Sequence, residues 1–190
     1  RNIPVEPGPD FMAALERAVQ HSVPKPTALV LNYPNNPTAF MADLDFYGQV
    51  VDFCRYHGIY ILSDLAYAEI YFDIDPPPSI LQIPGAKDIA VEFTSMSKTY
   101  SMPGWRIGFA TGNTRMVSAL ARNKSYLDYG AFTPIQVAAA AALSGRRDHA
   151  QTTPAQSRAA APARAARPGG LAGAGQGARA VGRLDRRTGA

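Results

Sequence analysis

A single cysteine, Cys54, is all the thiol the 190-residue chain has. One thiol cannot build an internal disulfide framework, so packing must hold the fold. Cys54 falls within a helical pattern and is expected to be a packing residue. No apolar run reaches the roughly 18 residues of a membrane-spanning helix. The start, RNIPVEPGPD, lacks the apolar core of a secretory signal. These absences make a cytoplasmic setting, away from any membrane, the expectation. There is also no initiator Met, as in a chain that begins inside a longer protein.

Positive charge is scarce over most of the length. The formal net charge is +4, yet residues 1–144 carry 10 Lys and Arg against 13 Asp and Glu, a net of −3. Residues 145–190 carry 9 Arg and 2 Asp, a net of +7, and so hold all the basicity. A nucleic-acid partner would rest on that tail alone and is not expected. The tail lacks Phe, Tyr, Trp, Ile, Met and Cys, and 33 of its 46 residues are Ala, Arg, Gly or Pro. It cannot bury enough apolar surface to offset its ordering entropy, so a disordered low-complexity segment is expected there. These four residue types share codons that begin with two G or C bases. An out-of-frame reading of GC-rich DNA is therefore the expected origin, with a natural Arg-rich tail as the alternative.

What the first 144 residues do have is alternating periodicity. Residues 10–21, capped by Asp10, put Phe11, Leu15, Ala18 and Val19 on one helical face. A short apolar strand at 28–31 runs into the turn-rich NYPNNPTA, residues 32–39. Asp43 is placed to cap a second helix to about His57, with Leu44, Tyr47, Val50, Val51 and Cys54 inward and Gly58 at its end. Strands are predicted at 59–62, 88–94 and 106–111, with an acidic, Pro-rich loop at 73–78. Asn113 or Thr114 caps a helix to about Leu127, and Thr133 with Pro134 opens a last one to Leu143. This alternation implies an α/β fold with a mostly parallel sheet flanked by helices.

Three loops at predicted strand ends carry the chemistry, where open α/β sheets bind ligands. The first holds Asn36, the second Asp64 and Tyr67, the third Ser95, Ser97, Lys98 and Arg106. Taken singly, each has an ordinary reading. Asn36-Pro37 is a common turn, Asp64 a cap or loop carboxylate, Tyr67 a packing ring, and Arg106 the partner of a surface acid. Together they suit an aldehyde cofactor with a pyridine ring, a phenolic oxygen and a phosphate. Lys98 would form an imine and later move a proton. Asp64 would keep the ring nitrogen protonated. Tyr67 and Asn36 would donate to the ring oxygen, while Arg106 and Ser95 would take the phosphate.

NYPNNPT, SDLAYAEIYFD and SMSKTYSMPGWRIGF together resemble the class I/II aminotransferases, fold type I enzymes that use pyridoxal 5′-phosphate. The resemblance covers residues 1–144, which it makes a partial large domain ending where the tail begins. It implies that Lys98 is the Schiff-base lysine, Asp64 the pyridine-nitrogen partner, Tyr67 and Asn36 the ring-oxygen contacts, and Ser95, Ser97 and Arg106 the phosphate ligands. PSILQIPGAKDIAVEF and KSYLDYGAFTPIQVAAAAAL are similar to the bacterial alanine (glutamate–pyruvate) aminotransferases and their LL-diaminopimelate aminotransferase-like relatives. Ala39 stands where many members have Gly. The resemblance implies amino-group transfer between an amino acid and a 2-oxo acid, in a homodimer. Members are substantially longer, so this chain is expected to be a fragment, inactive alone. A C–S lyase or decarboxylase on the same fold remains open, as does a non-catalytic cofactor-binding module.

Overall fold

A computed structural model describes residues 2–71 and 75–145, together with the backbone of residues 179–181. Its first helix, α1 (Pro9–His21), starts two residues earlier than a cap at Asp10 implies. Gly8 is the N-cap and Pro9 follows it, where a missing N–H costs nothing. Asp10 lies inside the first turn, where its charge complements the helix dipole. The predicted face of Phe11, Leu15, Ala18 and Val19 is the buried one.

Strand β1 (Ala28–Asn32) leads through the NYPNNPTA loop to α2 (Leu44–His57). The Asp43 carboxylate caps α2 by accepting from the Phe46 N–H at 2.8 Å. Gly58 ends the helix in the left-handed conformation, φ 66°. The inward set differs from prediction at one place: Leu44 is 43% exposed and Phe46 is buried. Phe46 meets Phe11 and Tyr33 edge-on, at 5.0 and 5.8 Å between ring centroids. That aromatic contact draws Phe46 in, while Leu44 occupies the helix's first position. Cys54 is fully buried, as expected of a packing residue, and burial pushes its thiol up to about 12.

Strands β2 (Tyr60–Asp64) and β3 (Ala90–Ser95) follow, then a single helical turn, α3 (Met96–Thr99). Strand β4 (Gly108–Gly112), α4 (Thr114–Leu127) and α5 (Thr133–Ser144) complete the main body. Asn113 caps α4 by accepting from the Met116 N–H at 2.9 Å. Phe132, not Thr133, is the N-cap of α5; Thr133 and Pro134 are its first helical residues. The fourth strand starts at Gly108, not Arg106, because Arg106 is left-handed at φ 50° and cannot enter a ladder. A short strand, β5 (Arg179–Val181), pairs antiparallel with Ala28–Val30. Gly145 and β5 are what is described of 145–190; at 179–181 the paired strand departs from the expected disorder, and the rest of that expectation lies outside the described residues.

The sheet order is β4-β3-β2-β1-β5. Strands β1, β2 and β3 are parallel, and β4 is antiparallel to β3, which makes the sheet mixed but parallel at its centre. Leu29, Leu31, Ile61 and Ala90 join α1 and α2 in one buried cluster. Burying a leucine or isoleucine side chain in this way contributes about 1.5–3 kcal/mol. Helices α4 and α5 add nothing to this cluster: no residue of α4 is buried, and Ala139 is the buried residue of α5.

One carboxylate lies within the packed face. Glu92 is 4% exposed and accepts from the Ser79 hydroxyl at 2.9 and 3.0 Å and from the Ile80 N–H. The same hydroxyl accepts from the Leu81 N–H at 3.1 Å and caps the turn Ile80–Gln82. Ser79 thereby gives PSILQIPGAKDIAVEF a physical content: its start is fastened to its end. Burial raises the Glu92 carboxyl above the ordinary 4.5, and the two hydrogen bonds oppose that rise only in part. A raised carboxyl contributes stability that is complete below the ordinary value and is lost as pH rises through the folded value. Denaturant titrations of the full-length protein over a pH series are therefore expected to show wild type losing stability, relative to Glu92→Gln, as pH climbs above about 4.5. A difference between the two that does not vary with pH would contradict this.

Candidate active site

Parallel pairing brings the three loops to one edge. Asn32 is level with Asp64, and Asp64 with Phe93, so β1, β2 and β3 end side by side. Because β4 runs the other way, its first residue, Gly108, pairs with Ser95. The segment carrying Arg106 therefore arrives at the same edge. Gly108 has a specific reason to be glycine: a Cβ there would lie 2.5 Å from the Thr94 carbonyl oxygen.

In the first loop, Asn36 is exposed and its Nδ2 donates to the Tyr67 phenolic oxygen at 3.0 Å. Asn35, 6% exposed, braces the turn, its Oδ1 accepting from the Thr38 N–H at 3.3 Å and the Thr38 hydroxyl at 2.7 Å. In the second loop, Asp64 Oδ1 accepts from the Ala66 N–H at 3.2 Å, which orients the carboxylate at the strand end. Asp64, Ala66, Phe93, Thr94 and Ser95 line an open cavity of about 220 Å³.

The third loop is not a loop throughout. Ser95 ends β3 and caps α3, its Oγ accepting from the Ser97 N–H at 3.2 Å. Lys98 thus leaves a helical turn, and its Nζ stands 5.7 Å from the centroid of the Tyr67 ring, within cation–π range. Ser97 is 7% exposed. Arg106 is exposed and donates from Nη1 to the Pro103 carbonyl at 3.1 Å. Asn36, Tyr67 and Lys98 therefore form one cluster, and Asp64 and Ser95 share one cavity. Ser97 is buried with its N–H on Ser95 Oγ, and Arg106 is held by its own turn. The Ser-x-Ser-Lys sequence after a strand carried a helix-start signal, a serine at the cap position.

One participant is absent from the predicted set. Asn32, half-buried at the end of β1, donates from Nδ2 to the Asp64 carbonyl at 3.3 Å and accepts at Oδ1 from the Asn36 N–H at 3.1 Å. A polar residue closing an apolar strand was its one mark in the sequence. An amine, a carboxylate, an amide-bonded phenol and a hydroxyl at one sheet edge form a donor set that fits a phosphorylated pyridine aldehyde. The amine suits the aldehyde, the carboxylate a ring nitrogen, the phenol and amide a ring oxygen. Among the described residues there is no cluster of metal-ligating side chains and no helix long and apolar enough to cross a membrane.

Comparison with known proteins points the same way. The family model for aminotransferase class I and II matches residues 9–167. A Rhizobium meliloti (strain 1021) protein named as an aminotransferase, AatC, is 68% identical over 145 residues, covering 76% of this chain and 36% of that one. The glutamate-pyruvate aminotransferase AlaC of Escherichia coli (strain K12) is 53% identical over 145 residues, 76% of this chain and 35% of that protein. The LL-diaminopimelate aminotransferase of Natranaerobius thermophilus is 44% identical over 148 residues, 78% and 38%. Among solved structures, BacF of Bacillus subtilis superposes with a TM-score of 0.66 at 39% identity, over 69% of this chain and 35% of that one. The N-succinyldiaminopimelate aminotransferase of Mycobacterium tuberculosis gives 0.73 at 25% identity, over 81% and 39%. The chain spans little more than a third of the length of these relatives.

The approach of β4 to Ser95 is testable. Gly108→Ala is expected to lower the stability of the full-length protein by about 1–3 kcal/mol, the cost of forcing extra volume against a neighbour. Gly104→Ala, where no atom lies within 4 Å of an added Cβ, is the control and should stay near wild type. Equal effects of the two substitutions in denaturant titrations would show that the close approach is not what fixes this residue.

Proposed function

Because the chain belongs to the class I and II aminotransferase family, whose members depend on pyridoxal 5′-phosphate, we propose that it is the cofactor-holding part of an enzyme that moves an amino group between an amino acid and a 2-oxo acid. The observation that carries this reading is the cluster of Asn36, Tyr67 and Lys98. One amide, one phenol and one amine meet there, 3.0 and 5.7 Å apart by the two contacts given above.

When bound, the cofactor supplies an electrophilic aldehyde and a ring that takes up electrons. Lys98 provides the nucleophilic Nζ and the group that moves the proton. Asp64 holds a proton on the ring nitrogen. Tyr67 and Asn36 orient the ring through its oxygen, the Asn36 amide fixing the phenol. Arg106 and Ser95 take the phosphate with a charge-assisted and a neutral hydrogen bond, and Ser97 completes that set as the neighbour whose N–H reaches Ser95 Oγ.

The similarity to a protein named glutamate-pyruvate aminotransferase supports an alanine and glutamate type of substrate. A C–S lyase or a non-catalytic binding module could keep the same residues; the relatives' names favour the aminotransferase. The working form is a homodimer in the cytoplasm, serving a biosynthetic process. Residues 1–144 are the partial cofactor-binding domain, residues 145–190 a separate tail, and the 190-residue chain is inactive alone.

In the full-length protein, Lys98→Ala is expected to abolish the near-visible absorbance that the bound cofactor gives. Borohydride reduction followed by peptide mapping should put the label on Lys98 in wild type. A label on Lys25, Lys87 or Lys124 would overturn the assignment. Asp64→Asn should keep the cofactor but slow single-turnover proton abstraction by about a hundredfold or more, since an amide cannot hold the ring nitrogen protonated. An unchanged rate with cofactor bound would remove Asp64 from this role.

A further inference from the structure

Asn36 has a positional problem. It is exposed, on a loop of turn-forming residues, and its side chain must meet a phenol 31 residues further along the chain. The loop's apolar anchor is at its start, where Tyr33 is 2% exposed and its hydroxyl donates to the Val5 carbonyl at 2.6 Å. That anchor does not reach Asn36. Tyr67, for its part, stands three residues beyond the end of β2 and depends on where that strand stops.

A single side chain bridges the two. Asn32 and Asp64 are register partners, the last residues of neighbouring parallel strands. Beyond them the backbone ladder ends, and the Asn32 amide continues it. Its Nδ2 donates to the Asp64 carbonyl at 3.3 Å. Its Oδ1 accepts from the Asn36 N–H at 3.1 Å and from Asn35 Nδ2 at 3.3 Å. Asn35 is in turn held by the two bonds from Thr38. The donor end thus fixes the strand from which Asp64 and Tyr67 depart, and the acceptor end fixes the backbone of Asn36. An asparagine can do both, because its amide carries a donor and an acceptor on one short, planar group.

We infer that Asn32 is a positioning residue. It acts through Asn36, setting the Asn36–Tyr67 hydrogen bond before any cofactor arrives. The inference rests on the proposed role of Asn36 as a cofactor contact, but its structural half stands apart from that role.

The test uses the full-length protein in five forms: wild type, Asn32→Ala, Asn32→Asp, Asn36→Ala and the Asn32→Ala/Asn36→Ala double variant. Amide hydrogen exchange of the cofactor-free protein reads the first half. Asn36 N–H should exchange about tenfold faster in Asn32→Ala, the loss of one ordinary hydrogen bond. Asn32→Asp keeps an acceptor at the same place and should retain the protection. The pH midpoint of the bound cofactor's absorbance reads the second half. It should move upward in Asn32→Ala and in Asn36→Ala, and the double variant should move no further than Asn36→Ala alone. A role in stability only would lower the melting temperature and leave the midpoint in place, and would overturn the inference. Unchanged Asn36 exchange in Asn32→Ala, or additive midpoint shifts, would overturn it too. A wild-type protein that binds no cofactor would instead count against the proposed function, and the exchange result would still decide the bridge.

Discussion

The register of three parallel strands is the constraint on which the rest depends. Once Asn32 is level with Asp64 and Asp64 with Phe93, every loop leaving β1, β2 and β3 must start from one edge. The residues that carry chemistry are far apart in sequence and near in space for this reason. A one-residue slip of any strand would turn its side chains to the opposite face. Asp64 would then leave the side it shares with Ser95, and the cavity between them would lose a wall. Hydrophobic burial enforces the register. Leu29, Leu31, Ile61 and Ala90 all reach the cluster with α1 and α2 in this alignment, and a one-residue slip would turn them away from it.

Polar contacts then do locally what the ladder does globally. The Asn32 amide joins two strand ends, Asn35 closes its own turn, and Ser95 starts the turn that carries Lys98. On the packed side Glu92 and Ser79 fasten the crossover between β2 and β3. That crossover begins at Leu65 and carries Tyr67. Its return to the sheet is thus pinned by a carboxylate whose burial is costly unless it is hydrogen-bonded. The exposure of Tyr126, Tyr129 and Phe132, at and beyond the end of α4, agrees with a chain that spans only part of its relatives.

Much of this was legible in the sequence, where the signals are local. The cap Asp43 and the left-handed Gly58 bound α2 where their chemistry predicts, and the inward face of α1 follows from its spacing alone. The order of motifs on successive strand ends pointed to one site. What could not be read depends on contacts made at a distance. Phe46 is inward because Phe11 and Tyr33 are there to meet it, which no periodicity within α2 reveals. Helix α3 is a single turn, too short to show a period. Arg106 takes a left-handed conformation that its residue type does not announce, so the strand starts two residues late. Asn32 reads as the first residue of the turn-rich loop, because the Asp64 carbonyl it reaches is set beside it only by pairing with β2.

We propose that this edge holds pyridoxal 5′-phosphate on Lys98, with Asp64, Tyr67, Asn36, Ser95 and Arg106 around it. A crystal structure of the full-length protein with the cofactor tests it most directly. Electron density is expected to be continuous from Lys98 Nζ, with the Asp64 carboxylate at the ring nitrogen, Tyr67 and Asn36 at the ring oxygen, and the phosphate against Ser95 and Arg106. Cofactor density at another lysine, or a ring lying away from Asp64 and Tyr67, would contradict it.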